Sequence, residues 1–117
     1  MKEGNVIIAP MPQTDGAVKN RPVLILREMP PFRDMLVCGI STQLHQAVKD
    51  FDETIETSDD DFSESGLVAK SLIRLGFLTV IPQNQIAGSI GSISPARHNR
   101  LLEKLSYYLI QRRQNGI

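Results

Sequence analysis

Pro22-Val23-Leu24-Ile25-Leu26 constrains the fold more than any other stretch. Five apolar residues in a row leave no polar face for solvent. A strand of this kind is covered on both sides and belongs in the middle of a sheet. Pro22 is expected at its first position, where a missing N–H is tolerated. Asn5-Val6-Ile7-Ile8-Ala9-Pro10 predicts an earlier strand, stopped by Pro10 and Pro12. Asp34 to Ser41 predicts a third, after the break at Met29-Pro30-Pro31-Phe32. The first two strands then form a hairpin with a long loop turning at Asp15-Gly16. Arg21, held extended by the proline after it, lies at the base of that loop.

The third strand, Leu36-Val37-Cys38-Gly39-Ile40, ends in Ser41-Thr42-Gln43. A buried strand that stops in two hydroxyls and an amide places polar chemistry on a rigid support. The same residues also suit a plain strand-to-turn exit, where Ser41 and Thr42 satisfy backbone groups. If the third strand runs antiparallel to the second, Ser41-Thr42-Gln43 and Arg21 meet at one end of the sheet.

Further on, Leu44 to Val48 reads as a short turn. Phe51 to Thr57 reads as a polar edge strand whose acids discourage edge pairing. Asp59 to Ser65 is a loop or single helical turn closed by Gly66. Leu67 to Leu75 predicts a strand, Gly76 a break, Phe77 to Ile81 another strand, and Gln85 to Ile93 a short glycine-containing one. Ser94 is a candidate N-cap with Pro95 at the first helical position, and Arg97 leaves no full capping box. Leu101, Leu102, Leu105, Tyr108 and Leu109 then recur at three- and four-residue spacing along one helix face. Arg112 and Arg113 complement its dipole, and Asn115-Gly116 stops it. The expected architecture is mainly β with a C-terminal helix: short strands curling into a small barrel, one domain over residues 1–117.

Composition narrows the function classes. At 117 residues, 41% apolar and 22% charged, the chain has the profile of an ordinary soluble protein. It has no tryptophan, so aliphatic packing dominates the core. No stretch approaches membrane-spanning length, and the N-terminus lacks the layout of a signal peptide, which makes the cytoplasm the expected compartment. Cys38 alone excludes an internal disulfide and a multi-cysteine zinc site. Net charge is zero but unevenly spread: residues 50 to 64 hold eight acids and no lysine or arginine. The rest keeps all 13 basic side chains against five acids, a balance of +8. A segregated basic surface binds phosphates, whereas a scattered excess does not.

Arg21 carries a planar, permanently charged guanidinium able to grip a phosphate with two hydrogen bonds. Beside Ser41 and Thr42 it can stabilise charge on a phosphoryl group. The plainer reading is a solvated loop arginine. His45 and His98 show no metal-ligand spacing; His45 reads as a surface loop histidine more readily than as an acid or base, and His98 sits in the first turn of the helix with no partner visible in the sequence. Gly88-Ser89-Ile90-Gly91-Ser92 has no lysine placed for a phosphate loop, so its glycines read as bends in a strand. No cofactor or metal is expected.

In order and spacing, these pieces resemble the PemK/MazF family of type II toxin–antitoxin toxins. Gly4 to Pro10 with Thr14-Asp15-Gly16 is similar to the family's opening strand and loop, and Asn20-Arg21-Pro22 to Leu26 to its arginine–proline strand. Val37 to Gln43 is similar to its strand ending in serine or threonine and glutamine. Ser65-Gly66-Leu67 to Ile73-Arg74, Leu78-Thr79-Val80, then Ile90 to Ile93 and a helix are similar to its late elements. The resemblance implies an SH3-like β-barrel, a homodimer, an antitoxin partner and metal-independent cleavage of single-stranded RNA by the 2′-hydroxyl. It gives Arg21 and Ser41 the catalytic roles and puts Thr42, Gln43, Thr14, Lys19 and Ser71 against RNA. One branch of the family carries an arginine and an aspartate where this chain has Ala69 and Ser71. That departure keeps a second reading open, a barrel without cleavage that binds RNA or protein. A nucleic-acid-binding small barrel of unrelated descent is a third.

Overall fold

A computed structural model describes residues 1–111. The strands are β1 (Asn5–Pro12), β2 (Val18–Met29), β3 (Asp34–Ser41), β4 (Glu53–Ile55), β5 (Ser71–Ile81) and β6 (Gly88–Ser92). A one-turn helix α1 (Phe62–Ser65) precedes β5, and α2 (Pro95–Ile110) ends the described chain. The strands form one antiparallel sheet in the order β4-β5-β3-β2-β1-β6. It curls into a half-barrel, with β2 and β3 near the centre and the helix on one face.

Side-chain alternation explains the two-sided core. Val6, Leu24, Leu26, Cys38 and Ile40 turn to one face, where Leu101 and Leu105 of α2 cover them. Ile7, Ala9, Met11, Val23, Ile25, Met35 and Val37 turn to the opposite face and pack together, with Ile81, Phe77 and Ile86. The unbroken apolar run of β2 thus serves both sides at once, as its sequence predicts.

Several boundaries differ from the sequence reading, each for a physical reason. β1 does not stop at Pro10 but continues through Pro12. Ile8 turns its carbonyl away from β2 to Ala87 N–H, and Pro10 and Pro12 share that outward parity. Their missing N–H groups fall on the edge that β6 has already left, since pairing with β6 ends at Ile8↔Gly88. β2 begins at Val18, so Pro22 lies inside it, opposite Ile8 and just before pairing with β3 begins at Val23↔Gly39. The predicted strand over Leu67 to Leu75 starts only at Ser71. Gly76 does not end it: β5 runs through a bulge, because Cys38↔Leu78 and Gly39↔Arg74 leave Leu75-Gly76-Phe77 without partners on β3.

β4 is an edge strand as expected, but its one acid, Glu53, does not face solvent as an edge defence. Glu53 points inward beside Ile55 and meets Arg97, Arg100 and Lys104 at 2.9, 3.1 and 3.1 Å. Arg97 is 6% exposed and also holds Asp61 at 2.8 Å and Asp59 at 2.9 Å. His98, for which the sequence shows no partner, has one. The β2–β3 register skips Leu26, and Leu26's carbonyl accepts a hydrogen bond from His98 Nε2 at 2.8 Å. Ser94 caps α2 as expected, its Oγ accepting from Arg97 N–H at 3.1 Å. Leu101 and Leu105 are buried, whereas Tyr108 and Leu109 are largely exposed. The expectations for Arg112, Arg113 and Asn115-Gly116 lie outside the described residues.

Candidate active site

The β1–β2 hairpin closes more tightly than its sequence suggests. Gln13 N–H donates to Ala17 O at 2.8 Å, and Gly16, at φ 86°, completes the turn. Arg21 therefore sits within β2, paired with Ala9, instead of at the root of a long loop. Its Nη2 donates to Gln13 Oε1 at 3.2 Å, while Gln13 Nε2 donates to Met11 O at 3.1 Å. Gln13 thus links the arginine to the β1 backbone, a role the sequence reading did not assign.

β3 delivers the second group. Ser41 is half-buried at the strand end, and its Oγ accepts from Gln43 N–H at 3.0 Å. The plain turn role foreseen for Ser41 is therefore present. It does not exhaust the hydroxyl: accepting from the backbone leaves the O–H free to donate outward. Thr42 and Gln43 follow, exposed, before a 3-10 turn at Leu44–Gln46.

These elements meet around a cavity of about 520 Å³. Arg21, Ser41, Thr42, Gln43 and Thr14 all line it. Gln13, Gln46, Arg74 and Phe77 line it too, although the sequence did not single them out. Arg74 could have been found only by knowing the register, which places it opposite Gly39. The lining holds two arginines and no aspartate, glutamate, histidine or cysteine. Such a wall attracts anions and offers hydrogen-bond donors to them.

Lys19 and Ser71 stand outside this lining. Lys19 is exposed on β2 opposite Met11. Ser71 is buried on β5, and its hydroxyl donates to Ala69 O at 2.8 Å. His45 is exposed and does not line the cavity. Cys38 is fully buried, and burial pushes its thiol far above the ordinary value, so it is core. Among the described residues no helix is long and apolar enough to cross a membrane.

The cavity is thus acid-free and carries two arginines, a lining suited to anions. The chain belongs to the PemK-like, MazF-like toxins of type II toxin–antitoxin systems, whose family description matches residues 2–109. Members of that family are mRNA-cleaving toxins. Among solved structures it is similar to Mycobacterium tuberculosis toxin MazF-mt6. The identity is 24%, the TM-score 0.63, and the match covers 93% of this chain and 99% of that one. No curated protein matches. The structural likeness carries the fold; the family rests on the sequence.

Proposed function

We propose that this chain is a sequence-selective endoribonuclease that cleaves single-stranded RNA without a metal and is held inactive by a cognate antitoxin. The observation that carries this reading is the convergence of Arg21 and Ser41-Thr42-Gln43 on one cavity free of acidic groups. In the reaction the 2′-oxygen bonds to the adjacent phosphorus and the bond from phosphorus to the 5′-oxygen breaks. The products are a 2′,3′-cyclic phosphate and a 5′-hydroxyl. The 2′-hydroxyl proton leaves to water, and the 5′-oxygen takes one from water.

Arg21 supplies what the transition state needs most, a fixed cation and a two-pronged donor for the extra negative charge on the phosphoryl oxygens. Charge stabilisation is therefore the role assigned to it first. Ser41 donates its free O–H to the same group. Thr42, Gln43 and Thr14 contact neighbouring nucleotides, and Lys19 adds positive charge along the approaching strand. Ser71 is part of this proposal only as a support for β5. The protein works in the cytoplasm as a homodimer.

A second reading has its own observation. The cavity lining holds no carboxylate, histidine or cysteine, and Ser71 stands where some members of the family carry an aspartate. A barrel without an acid–base pair suits RNA or protein binding with little or no cleavage.

One experiment separates the two. Purified protein, free of antitoxin, is incubated with a long single-stranded RNA in EDTA, and fragment ends are sequenced. Cuts at a recurring short motif with cyclic-phosphate ends, lost in Arg21→Ala while thermal stability holds, match the nuclease. Intact RNA with a folded protein selects the binding module. Cleavage that persists in Arg21→Ala removes Arg21 from the chemistry.

A further inference from the structure

The geometry points to a second phosphate subsite built on Arg74 and held in shape by Phe77 and Gly39. Resting on the ribonuclease reading, it adds the residue that grips the RNA one phosphate away from the bond being cut.

The bulge in β5 makes this subsite. Ile73 and Leu75 both pack into the helix-side core, so Arg74 between them turns to the opposite face, next to Gly39. The three unpaired residues that follow bring Phe77 back over Gly39. A methyl group at position 39 would stand 2.9 Å from Phe77 Cδ2, so only glycine leaves the ring this place. Arg74 then lies with its Cζ 5.6 Å from the Phe77 ring centroid. The cation over the ring is held by a cation–π contact, which uses none of its N–H donors, and both residues line the cavity. Arg74 is half-buried, yet among the described residues neither it nor Arg21 forms an ion pair.

Two guanidiniums around one cavity repel each other, and no carboxylate in the lining relieves them. An anion with two charged sites resolves this, and consecutive phosphodiesters of one RNA strand are such an anion. A neutral base edge would use Arg74's donors but leave the repulsion unrelieved, which favours phosphate. Arg74 is thus a positioning residue: it sets where the strand lies while Arg21 acts on the reacting phosphate.

The test uses a randomised single-stranded oligonucleotide lacking 2′-hydroxyls, which 2′-attack cannot cut, bound to wild type, Arg21→Ala, Arg74→Ala, Arg74→Gln, Arg74→Lys and Phe77→Leu over a range of salt. Losing one phosphate contact lowers the slope of log affinity against log salt by about 0.7 for a single strand. That decrease is expected for Arg74→Ala and Arg74→Gln, with Arg74→Lys keeping the slope. On cleavable RNA, the Ala and Gln variants should raise KM roughly tenfold or more with kcat far less affected, whereas Arg21→Ala should lower kcat. Phe77→Leu should raise KM in the same direction with the slope kept. An unchanged slope and KM in folded Arg74→Gln, while wild type still cleaves, overturns the subsite and leaves the nuclease standing. A changed cleavage motif with an unchanged slope shows that Arg74 reads a base and also overturns it. Wild type that neither binds the oligonucleotide nor cuts RNA overturns both.

Discussion

Arg97 is the residue on which the late half of the chain is tied. Its guanidinium meets Asp61, Asp59 and Glu53, all within 2.9 Å, while only 6% exposed. Burial alone pushes the Glu53 and Asp61 carboxyls up. Hydrogen bonds from Arg100 and Lys104 to Glu53, and from Arg97 to Asp61, outweigh that and hold both below their ordinary values of 4.5 and 3.8. The unfolded chain therefore takes up these protons before the folded one does. The stability they contribute is complete above about pH 4.5 and is lost as pH falls through the lowered folded values. Arg97→Met should lower stability at pH 7 by about 3–5 kcal/mol, because it strands the buried Asp61 carboxylate and removes one of Glu53's three cations. The loss should shrink near pH 3, where those carboxylates are protonated. Urea unfolding at the two pH values checks this, and an equal loss at both would show that Arg97 acts by packing alone. This hub was not legible beforehand, since the partners lie 36 to 44 residues away in sequence and each reads as a surface charge. The meeting of Arg21 and Ser41 was legible, because short antiparallel strands leave few ways to arrange those two ends.

At the scale of elements, two glycines decide how α1 sits against β6. Gly66 ends α1 at φ 75°, a left-handed conformation that L side chains rarely adopt. Gly91 in β6 faces the α1 backbone so closely that a methyl group there would overlap Glu64 O and the Ser65 carbonyl. These are backbone atoms and cannot swing aside. Gly91→Ala should therefore cost about 1–3 kcal/mol as α1 and β6 are pushed apart. The expected control is Gly88→Ala, where nothing lies within 4 Å and the change should be much smaller. Equal midpoints for the two variants in urea would refute the close-approach argument. The same stretch shows how legibility runs out. Gly88 to Ser92 was readable as a bent strand, but the surface it bends around was not. β3 was readable to its ends, Asp34 and Ser41, because one apolar run and two polar flanks define it. β5 was not, because Gly76 in a bulge has the same local signature as Gly76 in a turn. Arg74 was missed as a cavity residue for that reason.

For the whole molecule, charge and packing have separate distributions. Of the acids between residues 50 and 64, Asp52, Glu53, Glu56, Asp59 and Asp61 are occupied by partners inside the protein. The acidic run is therefore largely internal wiring, and the cavity keeps its uncompensated arginines. Packing, by contrast, is shared across the sheet. Neighbouring residues of β1, β2 and β3 — Val6 and Ile7, Leu24 and Ile25, Cys38 and Val37 — belong to opposite clusters. Neither cluster can dissolve without freeing the strands that build the other, so the molecule should unfold in a single step. Ile25→Ala, on the face away from α2, and Leu101→Ala, on the helix side, each remove a fully buried side chain. Each should cost about 2–5 kcal/mol, and each should shift one common transition. Far-UV circular dichroism follows the whole sheet, while Tyr107 and Tyr108 on α2 give a fluorescence signal local to the helix side. Coincident midpoints from the two probes in both variants are expected. If Ile25→Ala lowered the dichroism midpoint and left the tyrosine midpoint in place, the cluster around Ile25 would be a separate unit that melts by itself. The walls of the cavity would then be the first part of the protein to be lost, because Val23 of that cluster lines it beside Arg21.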